Sequence, residues 1–260
     1  MSAEQLAGRV RSRTSQGLVY ERRGSGRPIV FLHGWCLNGR LWTYEEELLA
    51  GSHDVIVPDL PGFGRADARV GPYVLDRYVA DVQALLAELD LTDAVLVGFA
   101  FGAAVAMGVA AADDSRLAGL VLIGVPSAAH IPHARMLASM RRDWPDFARR
   151  SARVVCRKPQ SEATLHWLER MFGGTRLPVA VETFGTMTAF HAPDLAALIG
   201  VPTLYVHGMD DDFAPMPIVE QCIAVAPDAR LATIEDCWLL VPFYQPERFR
   251  ELLCDFLGEV

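Results

Sequence analysis

The sequence predicts an α/β protein: a doubly wound, mostly parallel sheet of about eight strands carrying one inserted helical lid. Three observations carry that expectation. Short apolar runs alternate with segments of helical periodicity, as βα units require. The runs Ile29–Leu32, Val95–Val97 and Leu120–Val125 are apolar at nearly every position, the pattern of strands covered on both faces. Residues 127–199 then carry several helical patterns in succession and no convincing strand.

The elements follow in order. Gly17–Arg22 alternates apolar and polar residues and reads as an edge strand, closed by the turn-forming Gly24-Ser25-Gly26-Arg27-Pro28. Ile29–Leu32 is the next strand and ends in His33-Gly34-Trp35-Cys36. Leu41–Leu49 has helical spacing, and Val55-Ile56-Val57 is a buried strand running into the glycine-punctuated loop Asp59–Arg65. Tyr73–Leu89 keeps Val74, Tyr78, Val82, Leu85, Leu86 and Leu89 on one helical face. After the 127–199 stretch, Thr203–His207 returns to strand, Pro217–Ala226 reads as helix and Arg230–Ile234 as the last strand. Pro246–Leu257 closes the chain as a helix with proline at its start. The expected organisation is a core of residues 1–126 and 200–260 with a helical lid at 127–199.

The totals bound the function. A chain of 260 residues, 51% hydrophobic, suits one domain with a large core. No apolar run approaches the ~20 residues of a membrane span. Met1-Ser2-Ala3-Glu4-Gln5 lacks the basic-then-apolar start of a signal peptide, so a cytoplasmic location and no membrane partner are expected. Five cysteines, odd in number and without paired metal-ligand spacing, read as reduced thiols, with no metal or cofactor implied. A net charge of −8 argues against nucleic-acid binding. The charge is uneven: residues 127–199 hold ten Arg or Lys against six Asp or Glu, leaving −12 on the rest. That surplus reads either as solvated helix faces or as a lid that attracts an anionic or carrier-bound small-molecule substrate.

Chemistry centres on Val95-Leu96-Val97-Gly98-Phe99-Ala100-Phe101-Gly102. Glycines two before and two after a central residue let a strand turn sharply into a helix, the nucleophile-elbow arrangement. The central residue here is Ala100, which carries no nucleophilic atom.

Five motifs then agree in order: His33-Gly34-Trp35, Asp59–Gly64, Gly98–Gly102, His207-Gly208 with Asp211 and Pro215, and Gln245–Phe249. Together they resemble the α/β-hydrolase superfamily over about residues 17–258, and in Phe31–Leu37 and Asp59–Arg65 the small pimeloyl-carrier-protein methyl esterases. The resemblance implies an oxyanion hole made by the backbone N–H groups of Trp35 and Phe101, and a catalytic acid at Asp211, aligned by Gly208 and Pro215, with Asp210 and Asp212 as the alternative registers. It places the family's nucleophile on Ala100, its histidine on Leu239 and the preceding glycine on Trp238. No histidine follows His207, so no shift of register supplies a base. A Ser–His–Asp site needs the histidine to take the serine proton. By the resemblance, two of the three groups are replaced and Asp211 remains.

Other residues near this site carry two readings each. Asp211 is either a proton-transfer group or a carboxylate satisfied by loop N–H groups. Cys36 and Cys237 are pocket thiols or inert buried ones, and Tyr244 is a hydrogen-bond donor or a packing residue. His33 braces the oxyanion loop or takes part in catalysis, and Phe99 flanks the elbow. His130, His133, His166 and His191 face the pocket or the solvent, while Trp144, Trp167, Phe172 and Phe184 roof a pocket or fill the core. Three functions follow. One is a non-hydrolytic enzyme performing elimination, cyclisation, isomerisation, decarboxylation or a pericyclic step on a carbonyl-bearing small molecule, using the oxyanion hole and Asp211. The second is an esterase or thioesterase with an engineered serine-to-alanine change. The third is a non-catalytic protein that binds a ligand or partner.

Overall fold

The structure, a computed structural model, describes residues 9–66, 70–126, 133–156 and 159–260. Eight strands form one sheet: β1 (Val10–Arg13), β2 (Val19–Gly24), β3 (Arg27–Leu32), β4 (His53–Asp59), β5 (Ala94–Phe99), β6 (Leu117–Ile123), β7 (Thr203–Gly208) and β8 (Ala229–Ile234). Their order is β1-β2-β4-β3-β5-β6-β7-β8. β2 runs antiparallel to β1 and to β4; every other pair is parallel. Every residue of β5 is buried, and so are Ile29 to Leu32 of β3. Because side chains alternate between faces, both faces of the sheet centre are covered.

Helices supply that cover: α1 (Thr43–Leu49), α2 (Leu75–Glu88), α3 (Phe101–Ala112), α9 (Met216–Val225), the short α10 (Val241–Tyr244) and α11 (Pro246–Glu259). Between β6 and β7 come α4 (His133–Arg142), α5 (Trp144–Val154), α6 (Glu162–Gly173), α7 (Leu177–Thr188) and α8 (Ala192–Ala196). α5 packs on α4 and α6, and α7 on α4. α8, although inside the 127–199 stretch, packs on α3 and α9. Among the described residues no helix is long and apolar enough to cross a membrane.

Two elements differ from the sequence reading. The expected edge strand is β2, and it is not the edge, because β1 pairs along its outer side from Val10↔Arg22 to Arg13↔Val19. β1 reads Val-Arg-Ser-Arg and is exposed throughout, so no apolar alternation marks it; backbone pairing and the Arg11–Glu21 ion pair hold it. The helix read at Leu41–Leu49 begins as a tight turn over Gly39–Trp42 before α1.

The loop after β4 is organised by Asp59, which is 1% exposed. Its carboxylate accepts the N–H groups of Gly39 and Arg65, both at 2.8 Å, and the Arg65 Nε at 2.5 Å. Burial pushes the Asp59 carboxyl up, but the Arg65 hydrogen bonds and charge outweigh it and hold the pKa below its ordinary value. Arg65 also donates to Glu21 of β2, tying this loop to the sheet. Arg65→Ala would leave a buried carboxylate short of its partner, and urea melts are expected to show a loss of about 2–3 kcal/mol. Arg149→Ala, at an exposed and solvent-screened α5 ion pair, is expected to leave the urea midpoint unchanged.

Candidate active site

β5 turns into α3 at Ala100, whose backbone stands at φ 48° and ψ −110°. A residue with a Cβ rarely adopts this conformation, and holding it costs about 1–3 kcal/mol. The surroundings enforce it. The Ala100 N–H donates to the Ile123 carbonyl at 2.8 Å, and the Ala100 carbonyl accepts from the N–H groups of Ala103 and Ala104. The flanking glycines leave no room for a side chain: a Cβ on Gly102 would lie 2.2 Å from the Leu32 carbonyl oxygen, and one on Gly98 2.5 Å from that of Gly102. The sharp turn expected from the glycine spacing is therefore present.

Phe101 opens α3, so its N–H lies in the first turn of the helix, where intrahelical acceptors are lacking. Among the described residues neither that N–H nor the Trp35 N–H meets a backbone acceptor outside regular elements. The Trp35 loop is braced from below by His33, fully buried after β3. His33 Nδ1 lies 2.9 Å from the Gly34 carbonyl, and Nε2 accepts the Leu60 N–H at 2.9 Å. Both ring nitrogens are thereby used: Nδ1 donates and the imidazole is neutral. Trp35 itself reaches upward. Its Nε1 donates to the Ala180 carbonyl and to Thr183 Oγ1, each at 3.1 Å, and its ring meets Trp144, Phe172 and Phe184 at 5.5–6.3 Å.

Above the turn lies a cavity of about 470 Å³, the size of a small-molecule site. Trp35, Phe99, Ala100, Gly124 and Leu239 form its floor, and α4 to α7 close it with Met136, Phe147, Phe172, Phe184 and Met187. Phe213 and Leu240 complete one side. A Cβ on Gly124 would lie 2.8 Å from Leu239 Cδ1 and 3.8 Å from Asp211 Oδ2, so both side chains stand close to Gly124. Among the described residues, the lining includes no His, Asp, Glu, Cys, Lys or Tyr. Their polar side chains are Arg135, Ser139, Arg150 and Ser151, all on α4 and α5, and the sequence reading did not name them.

The structure separates the remaining sequence-selected residues from the cavity. Asp211 is 7% exposed and does not line it; its Oδ1 accepts the N–H groups of Phe213 at 2.8 Å and Ala214 at 3.1 Å. These two bonds are those of a carboxylate satisfied by loop N–H groups, one of the two readings of Asp211. Cys36 is fully buried, and burial pushes its thiol well up, which makes it inert. Cys237 Sγ donates to the Trp238 carbonyl at 3.4 Å, and the Trp238 ring packs edge-on against Phe213. Tyr244 donates to the Val155 carbonyl at 3.2 Å, a packing role. None of His33, Cys36, Cys237, Trp238 and Tyr244 is part of the cavity wall. Of the four aromatics, Phe172 and Phe184 line the cavity, Trp144 stands behind Trp35, and Trp167 stacks on Phe243. His133 contacts Thr188, His166 and His191 are exposed, and His130 lies outside the described residues.

This chain belongs to the alpha/beta hydrolase family, which it matches over residues 29–252. It is 31% identical to a non-heme haloperoxidase of Rhodococcus erythropolis over 82% of this chain and 86% of that protein. It is 30% identical to a pimeloyl-acyl-carrier-protein methyl ester esterase of Aromatoleum aromaticum, over 81% of this chain and 90% of the other. Among solved structures, an esterase from Exiguobacterium antarcticum superposes with a TM-score of 0.87 at 22% identity, covering 96% of this chain and 99% of its own, a likeness of fold.

Two measurements probe this geometry. Ala100→Gly relieves the positive φ and is expected to raise stability by about 1 kcal/mol, whereas Gly102→Ala should lower it by about 3 kcal/mol. Burial holds the His33 imidazole below its ordinary pKa of 6.5. The unfolded chain therefore takes up this proton first as the pH falls. The His33 contribution is complete above pH 6.5 and is lost below it, down towards the folded value. Melts at about pH 7.5 and 5.5 are expected to show the loss, and His33→Gln should reduce it; buried His207 acts in the same direction in both proteins.

Proposed function

We propose that this protein takes a carbonyl-bearing small molecule into the cavity and carries it through a step that needs neither a covalent nucleophile nor a side-chain base. The observation that carries this reading is the floor of the cavity: Ala100 stands at the turn and Leu239 beside it, and among the described residues no lining side chain is a base at neutral pH. Acyl-enzyme chemistry lacks both its nucleophile and its base here. Elimination, and isomerisation by proton abstraction, need a base within hydrogen-bond reach. Cyclisation, decarboxylation and pericyclic steps do not, and they are the remaining members of the class.

The Trp35 and Phe101 N–H groups polarise the substrate carbonyl, a kind of contact worth about 10²–10³ in kcat for each donor. The apolar wall holds the substrate in one folded shape, converting its lost freedom into rate. Helices α4–α7 act as the lid that closes over it. Asp211 keeps the loop after β7 in place through Phe213 and Ala214 and moves no proton. The same bare floor favours a second reading, binding without turnover. The engineered-esterase reading has less support, because a serine at position 100 would still face Leu239 rather than a histidine.

Mass spectrometry of small molecules released from the purified protein tests the proposal. A ligand returned chemically changed supports an enzyme, and a ligand returned intact supports the binding reading. With nitrophenyl acetate, the wild type and Ala100→Ser are both expected to show turnover near background. Ala100→Ser combined with Leu239→His should exceed them by at least about 10²-fold, since a complete triad contributes up to ~10⁶. Robust wild-type turnover that is abolished by Ala100→Trp would overturn the proposal. Asp211→Asn keeps the Oδ1 acceptor and is expected to change conversion of the released ligand by less than about tenfold, short of the 10²–10⁴ lost with a general acid or base.

A further inference from the structure

The cavity has two chemically different ends. Its floor offers apolar side chains and backbone N–H groups, whereas its α4–α5 side presents Arg135, Ser139, Arg150 and Ser151. Arg135 and Arg150 are exposed and stand where the cavity meets solvent, whereas Ser139 and Ser151 are half-buried. Arg135 and Ser139 are one turn apart on α4 and flank Met136, which also lines the cavity. On α5, Phe147, Arg150, Ser151 and Val154 recur at the spacing of a single stripe, and all four line it. The arginines are the charged groups among the described lining residues; Asp146, outside the lining, pairs with Arg150.

Neighbouring arginines are already paired. Arg149 meets Asp146 at 2.5 Å and Arg153 meets Glu169 at 3.1 Å. Arg150 shares its charge with Asp146 through Nε at 2.8 Å, and its Nη2 lies 3.4 Å from Ser139 Oγ. Arg135 has no ion pair among the described residues. A cation at the solvent-facing end of an apolar cavity, on the same wall as two hydroxyl donors and a tethered second guanidinium, matches a planar anion that takes paired N–H and O–H donors.

Building on the reading of the cavity as a small-molecule site, we infer that Arg135, with Ser139, Arg150 and Ser151, binds the carboxylate of an amphipathic substrate whose carbonyl end reaches the Trp35 and Phe101 N–H groups. The positive surplus of residues 127–199 in an otherwise acidic chain then has a local purpose: it draws the anion to this end and sets which way round the substrate enters. Arg135 is thus a specificity-determining residue, and the apolar span between the two ends measures substrate length.

The test uses decanoate and its neutral counterpart decanol, below their micelle concentrations, with binding followed by quenching of tryptophan fluorescence in the wild type, Arg135→Gln and Ala100→Trp. The wild type is expected to bind decanoate at least about tenfold more tightly than decanol, a preference that weakens as sodium chloride is raised. Arg135→Gln should abolish the preference by weakening decanoate alone, and Ala100→Trp should block both ligands. Equal binding of acid and alcohol by the wild type, or a preference that persists in Arg135→Gln, would overturn the inference while leaving the cavity reading intact. Failure of either ligand to bind, or binding indifferent to Ala100→Trp, would overturn both.

Discussion

The backbone contact between Gly102 and the end of β3 is the constraint on which the site depends. With 2.2 Å separating a notional Gly102 Cβ from the Leu32 carbonyl oxygen, α3 can begin where it does only because nothing projects from residue 102. That approach sets the first turn of α3, and the Phe101 N–H with it, against the end of β3. The positive φ at Ala100 is the cost of making the turn in so few residues, and hydrogen bonds through its own N–H and carbonyl hold it. None of these terms involves the side chain at position 100. Donor geometry is therefore a property of the chain path, and the identity of residue 100 decides only what stands in front of it.

Trp35 couples that path to the helices above. Its backbone N–H belongs to the cavity floor, while its indole is bonded to Ala180 and Thr183 of α7 and packed among Trp144, Phe172 and Phe184. Each aromatic contact is worth about 0.5–1.5 kcal/mol beyond area burial, so a shift of α7 is felt at the N–H donor. Trp144 extends the tie by donating to the Thr175 carbonyl at 2.8 Å, at the entry to α7. The Trp35 backbone and the helices above it are therefore held by one set of contacts.

Local steric requirements were legible in the sequence, and side-chain direction was not. The turn at Ala100 could be read because two glycines at fixed spacing have few other uses, and β3 and β5 because a strand buried on both faces has no polar positions. β1 escaped because its pairing depends on the neighbouring backbone and on Glu21, not on any pattern in Val-Arg-Ser-Arg. Cys36, Cys237 and Trp238 lie next to site elements in the chain yet turn away from the cavity, since adjacency along a loop does not fix where a side chain points. Phe172 and Phe184 have the helical spacing of core residues; docking of α6 and α7 makes them wall. The positive sum over 127–199 was visible, but which of its arginines line the cavity emerged only when the stripes of α4 and α5 were placed.

The distribution of polar groups narrows the chemistry further. A carboxylate held at Arg135 is stabilised as the anion, so it is not the group that leaves in a decarboxylation. A decarboxylating substrate would need a second carboxylate on the apolar floor, where no cation lines the cavity and burial of an unpaired charge is costly. A cyclisation or pericyclic step moves little net charge and transfers no proton to the protein. It asks for a folded substrate, a polarised carbonyl and the absence of water or nucleophile at the reacting atoms. A serine hydroxyl at the turn would place a competing nucleophile beside that carbonyl, and a histidine would bring in a proton carrier. Alanine and leucine at these two positions suit a site in which the reaction is confined to the substrate's own bonds.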